Sequence, residues 1–184
     1  MRLLSWNCRG VGRALTIRSL KALSCSDRPD VFFVAETKVK SPKIDRLKLS
    51  MGYANCFCVN SVGKAGGLAL FWKLGVELEV IFSNNNVIAS LIYSDPPATS
   101  WLLISVHGPL YIAKRRKFWA LMAKIISGFS RHWLLIGDLN STVSNSDKSG
   151  GRQNGESSSR SFRNFISEVG AIDLGLWIEI HMVK

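Results

Sequence analysis

Val31-Phe32-Phe33-Val34-Ala35-Glu36-Thr37-Lys38 sets an unbroken apolar run directly against a carboxylate, a hydroxyl and an ammonium. Five apolar residues in a row are too few and too continuous for an amphipathic helix. They predict a strand buried on both faces that stops at Glu36. The same order of residues occurs twice more. Leu3-Leu4-Ser5-Trp6 runs into Asn7, and Trp133-Leu134-Leu135-Ile136 runs into Gly137-Asp138, with Asn140 two positions on. Polar strand ends are where layered α/β proteins place their sites.

Between these strands the pattern alternates. A basic helix is expected from about Ala14 to Cys25, with Leu15, Ser19, Ala22 and Leu23 on one face and Arg18 and Lys21 on another. Ser41-Pro42 reads as an N-cap followed by proline at the first helical position. That helix carries Ile44, Leu47 and Leu49 and ends near Gly52. Residues 53–59, 68–72, 76–82 and 87–93 then read as consecutive strands joined by short Gly-, Ser- and Asn-rich turns. Connections that short predict antiparallel neighbours. A strand from Trp101 to His107, a helix from Ile112 to Ser127, a polar loop over 144–159 and a helix over about 160–169 complete the reading. Alternating βα units plus a meander predict a layered α/β fold in one domain over 1–184.

The 184 residues are 47% apolar, enough for a real core, and no apolar run reaches the length of a membrane span. Residues 1–7 meet a polar group too early for a secretory leader, so an intracellular protein is expected. Lys plus Arg number 24 against 13 for Asp plus Glu, a net charge of +11. That excess points to a polyanion, nucleic acid before anionic membrane, or to a merely solubilising surface. The cysteines Cys8, Cys25, Cys56 and Cys58 lack zinc or redox spacing and read as buried and reduced. One carboxylate from one strand end and an Asp/Asn pair from another suit a hard cation, which takes oxygen ligands. If the chain stays extended past Asp138, Asp138 and Asn140 point to one side. Taken singly, each of these residues could equally cap a turn or end a strand in solvent.

Trp6-Asn7-Cys8-Arg9-Gly10, Glu36-Thr37-Lys38, Lys64-Ala65-Gly66-Gly67-Leu68-Ala69-Leu70-Phe71-Trp72-Lys73, Gly137-Asp138-Leu139-Asn140, Asp147-Lys148-Ser149-Gly150-Gly151 and Asp173-Leu174-Gly175 follow in that order. Together they resemble the endonuclease/exonuclease/phosphatase superfamily, and within it the endonuclease domain of plant LINE-type (non-LTR) retrotransposons. The resemblance implies a DNase I-like fold: two packed mixed sheets flanked by helices, an α/β-β/α sandwich. It implies Mg²⁺-dependent hydrolysis of a phosphodiester, with Mn²⁺ as the substitute ion and no small-molecule cofactor. By position, Glu36 would hold the metal with Asn7 beside it. Asp138 would orient and deprotonate the attacking water, and Asn140 would hold Asp138 and the scissile phosphate.

The pattern departs from the family in two places. His107-Gly108-Pro109 stands where the family has Tyr-x-Pro, so His107 becomes either a weakened phosphate contact or an ordinary surface or core histidine. The family's closing Ser-Asp-His is absent from residues 176–184, and His181 lacks the preceding Ser-Asp. A C-terminally truncated domain without its last strands is therefore expected. Lys114-Arg115-Arg116-Lys117 opens the helix after His107, and Arg9 adjoins Asn7. By the same resemblance these five cations are expected on the DNA phosphate backbone, with Phe118 and Trp119 in the core. Three functions remain open: a DNA-nicking enzyme that is nuclear if expressed as a retroelement product, a dead remnant that binds nucleic acid by charge, and a phosphatase-type relative.

Overall fold

The computed structural model describes residues 1–63, 65–141 and 156–174. The chain forms β1 (Leu3–Asn7), α1 (Ala14–Asp27), β2 (Val31–Ala35), α2 (Ser41–Met51), β3 (Asn55–Val59), β4 (Leu68–Trp72), β5 (Leu78–Asn84), β6 (Val87–Ser94), β7 (Pro97–His107), α3 (Ile112–Ser127), β8 (Trp133–Asp138) and α4 (Glu156–Val169). It divides into two compact units. The first holds Met1–His107 and Arg131–Asp138, and the second holds Gly108–Ser130 and the described residues after Asp138.

The first unit contains two four-stranded sheets, ordered β1-β2-β4-β3 and β5-β6-β7-β8. Both are mixed. In the first, β1 and β2 are parallel while β2–β4 and β3–β4 are antiparallel. In the second, β5–β6 and β6–β7 are antiparallel and β7–β8 are parallel. Alternation explains the packing, because successive side chains leave opposite faces of a strand. Val31, Phe33 and Ala35 of β2 meet Leu68 and Leu70, then Ile88, Ile92, Leu103 and Ile136 of the facing sheet. Phe32 and Val34, on the other face, join Leu20, Ile44 and Leu47 of α1 and α2. Every residue of β2 is buried, as a strand covered on both faces requires.

Four local expectations change. Residues 68–72 and 78–84 are consecutive strands but not neighbours, because the chain passes from one sheet to the other between them. Pairing with β2 already satisfies the open edge of β4. The buried face of α1 centres on Leu20 with Ile17 and Leu23, while Leu15 is 55% exposed. The α2 N-cap is Lys40, with no side-chain cap, and Ser41 already lies in the helix. Leu49 of α2 is 73% exposed, and Met51 packs inward instead.

In the second unit, α3 and α4 pack through aromatics. The Trp119 ring lies 4.6 Å from Phe162 and 4.8 Å from Phe165, and Phe118 and Trp119 are buried as expected. All four cysteines are free. Cys8 is buried, Cys56 and Cys58 are partly buried on one face, and Cys25 is exposed, contrary to its expected burial. Among the described residues no helix is long and apolar enough to cross a membrane.

Candidate active site at the strand ends

The parallel pairing β1–β2 sets Asn7 opposite Ala35, so Asn7 and Glu36 leave the first sheet side by side. The parallel pairing β7–β8 sets His107 opposite Asp138 at the end of the second sheet. Within the first unit β1 lies against β8, and these four residues meet.

Asn7 is the hub. Its Nδ2 donates to Glu36 Oε1 at 3.2 Å and to Asp138 Oδ2 at 3.0 Å, and lies 3.5 Å from His107 Nε2. An amide oxygen turned toward two carboxylates would be repelled, so the nitrogen faces them. Asn7 Oδ1 accepts the Arg9 backbone N–H at 3.3 Å. The second Glu36 oxygen, Oε2, lies 3.2 Å from Lys38 Nζ, and Oε1 lies 3.3 Å from His107 Nε2. Burial alone would raise the Glu36 pKa. Hydrogen bonds from Asn7 and Lys38, with the charges of His107 and Lys38, outweigh it and hold the carboxyl below the usual carboxylate range.

The backbone here is unusual. Among the described residues of the first unit, Arg9, Glu36, Lys38 and Arg28 have positive φ, uncommon for residues with a Cβ. Arg28 follows α1, while Arg9, Glu36 and Lys38 lie in the loops after β1 and β2, where local strain accompanies the cluster. Gly66 and Gly67 clamp the middle loop: Thr37 N–H donates to Gly67 O at 3.0 Å and Lys38 N–H to Gly66 O at 2.9 Å. Gly67 has φ 88°, and a Cβ there would strike the buried Thr37 hydroxyl. On the other sheet, Asn86 grips His107 through both backbone atoms. His107 N–H donates to Asn86 O at 2.8 Å, and Asn86 Nδ2 donates to His107 O at 2.6 Å. His107 is only 7% exposed and belongs to the cluster, a placement that its sequence position left open. Lys38 and Asn86 contribute to the site without having been expected there. A cation two residues after a strand-end carboxylate is the one sequence signal available for Lys38.

The chain does not stay extended past Asp138: Gly137 has φ 130° and Asn140 φ 49°, so the alternation argument for Asp138 and Asn140 fails. Asn140 lies in the second unit, where its Nδ2 donates to Gly108 O at 2.8 Å. Arg9, Lys114, Arg116 and Lys117 are exposed. Arg115 is not on the surface. It is 6% exposed and donates to Pro109 O at 3.2 Å and Leu110 O at 3.3 Å, because the helical period turns one member of a four-residue run inward. Lys114 lies 5.6 Å over the Tyr111 ring. Lys64, the 147–151 landmark, Gly175 and His181 lie outside the described residues.

The donor set suits a hard, well-hydrated cation. Among the described residues no three His, Cys, Asp or Glu side chains are grouped to hold a metal. A magnesium-type ion, however, keeps several waters and needs only one or two carboxylates. Glu36 supplies such a carboxylate, while Asn7 turns its amide nitrogen to Glu36 and its oxygen to the Arg9 N–H, so it would have to rotate to offer that oxygen to an ion.

The fold recurs among solved structures. An AP endonuclease from Leishmania major superposes with a TM-score of 0.73 at 15% identity, covering 94% of this chain and 67% of that one. The 3′ phosphatase NExo from Neisseria, bound to a product DNA hairpin, gives 0.67 at 16%, covering 91% and 71%. The endonuclease domain of TRAS1, a telomere-specific non-LTR retrotransposon, gives 0.66 at 14%, covering 92% and 70%. At these identities the likeness concerns the fold, and this chain spans about two thirds of the length of each. No curated protein matches the sequence. A family model does match, over residues 4–178, a span that takes in all four strand ends from which the cluster is built. The chain therefore belongs to the endonuclease/exonuclease/phosphatase family.

Proposed function

We propose that the chain is a Mg²⁺-dependent phosphodiester hydrolase of endonuclease type that acts on DNA and derives from a LINE-type retrotransposon. The observation that carries this reading is the Asn7 amide bridging Glu36 and Asp138 at 3.2 and 3.0 Å. One N–H₂ group fixes both carboxylates, each in a different role. Glu36, held ionised, is the anionic ligand, with Asn7 beside it. A divalent cation bound there would supply charge to the phosphoryl oxygens. Asp138 orients the attacking water and takes its proton. His107, set opposite Asp138 and against Glu36, offers a ring N–H to a phosphate oxygen. Asn140 is proposed to meet the phosphate. Arg9, Lys114, Arg116 and Lys117 are proposed phosphate contacts, which give affinity without reading sequence. The retroelement derivation draws support from the landmark order and the likeness to the TRAS1 domain. Intracellular, nuclear action follows from it as part of the same proposal.

A second reading has its own observation. Lys38 Nζ sits 3.2 Å from Glu36 Oε2, so an ammonium already neutralises the carboxylate that a metal would need. On that reading the protein binds nucleic acid by charge and does not cleave it. Nicking of supercoiled plasmid in Mg²⁺ separates the two. The proposal expects nicking by cooperatively melting protein, lost in EDTA and reduced about 10²–10³-fold by Glu36→Gln. Tight, salt-sensitive binding without nicking would establish the second reading.

A further inference from the structure

The first unit carries an open groove of about 670 Å³ between α2 and the segment that leads into α1. Its rim is Lys40, Lys43 and Arg46, its floor is Val11, Val39 and Leu47, and no acidic residue lines it. Lys43 and Arg46 are three residues apart on one flank of α2, about 4.5 Å along its axis, and Lys40 precedes them as the N-cap. Asp45, the acid on the same helix, turns away and accepts the Cys56 thiol at 3.5 Å. In the chain, Lys40 follows two residues after Lys38, whose ammonium lies 3.2 Å from Glu36 Oε2.

We propose that the DNA strand flanking the cleaved phosphodiester leaves the Asn7–Glu36–Asp138 cluster along this groove, with successive phosphates on Lys40, Lys43 and Arg46. The inference rests on the nuclease reading and adds a direction and a footprint to it. One observation favours a nucleic-acid backbone over an acidic amphipathic peptide: three closely spaced cations with no acid among the lining residues match a polyanion, and the chain as a whole carries +11.

The test is the salt dependence of duplex DNA binding by the full chain in EDTA, where cleavage is silent. Each cation withdrawn from a phosphate should lower the slope of log K against log salt by about 0.9. Lys40→Gln with Lys43→Gln and Arg46→Gln should therefore lower it by about 2 to 3. Lys40→Arg with Lys43→Arg and Arg46→Lys should keep the wild-type slope, which separates charge from damage to the helix. Removing three exposed cations away from the groove, Arg18, Lys21 and Lys124, should change the slope less. An unchanged slope in the groove variant overturns the proposal, as does an equal change in both triple variants. Capture of an acidic amphipathic peptide in the groove with the DNA slope intact overturns it too. Plasmid nicking reports separately on the reading beneath. Wild-type nicking with an unchanged slope removes the groove alone, whereas a groove-dependent slope without nicking removes the nuclease and leaves the groove.

Discussion

Helices α2 and α3 both open with cations and without an acid in the first turn, yet they use those cations in opposite ways. In α3 the four charges are consecutive. A 100° step per residue spreads them round the axis, and Arg115 is driven inward onto the Pro109 and Leu110 carbonyls. At α2 the N-cap Lys40 and the helix residues Lys43 and Arg46, three apart, line one groove. The denser run is therefore the more divided surface, and the sparser one is the more concentrated. For a helix, spacing says more about a binding face than local charge density does.

Substitutions on α3 test this contrast directly. The largest effect is expected at the inward cation. Arg115→Ala should cost about 2–3 kcal/mol, because two charged hydrogen bonds disappear, one of them to the carbonyl of buried Pro109. Arg115→Met, which keeps the bulk of the stem, should recover little. Denaturant melts would show it, and a cost under about 0.5 kcal/mol would place Arg115 back on the surface and erase the difference between the helices. Arg116→Ala and Lys117→Ala on the outer side should each stay within about 0.5 kcal/mol in the same melts. Their effect belongs in the DNA salt slope.

An intermediate case calibrates the scale. Asp30 accepts the Arg2 backbone N–H at 2.7 Å and pairs with Lys73 at 3.0 Å, partly exposed. The Arg2 bond is the chief cause that holds its pKa below the usual range, with slight burial opposing and Lys73 helping. A lowered folded pKa makes the contribution complete above the ordinary carboxylate value, and it is lost as pH falls through the folded one. Asp30→Asn should cost about 1 kcal/mol near neutrality, allowing for solvent screening, and progressively less on acidification below about pH 4. A cost that persists unchanged in acid would assign it to packing.

Thiols offer the smallest version of the contrast between inward and outward groups. Burial pushes Cys8 up to about 11, and burial with Asp45 beside it pushes Cys56 up to about 11, whereas Cys25 is exposed. Alkylation of native protein at mildly alkaline pH, read by mass spectrometry, should label Cys25 first and Cys8 last. Early labelling at Cys8 would mean that the loop after β1 opens readily.

Much of the candidate site is legible in the sequence because it is built from strand ends. Asn7, Glu36 and Asp138 each follow a run of apolar residues, and a run that must be buried fixes where the chain emerges. His107 can be placed at a strand end but not given a role, since an imidazole suits core, surface and site alike. For Asn140 the alternation argument lapses, because it holds only while the backbone is extended and Asn140 itself is left-handed. The roles of Lys38 and Asn86 lie in contacts between segments, and no local pattern announces such contacts.

Periodicity, turn chemistry and motif order are local properties, and they suffice for the strands, the boundaries of α3, the buried aromatics of that helix and the family. Other features exist only in the packed chain: β4 and β5 lie in different sheets, α1 buries Leu20 with Ile17 and Leu23, and Arg115 faces inward. The meeting of Asn7, Glu36, His107 and Asp138 within hydrogen-bonding distance is of the same kind. One physical reason covers all of these. Which edge pairs, which helix flank is covered and which polar groups meet depend on partners up to about 130 residues away, and only the tertiary fold supplies them.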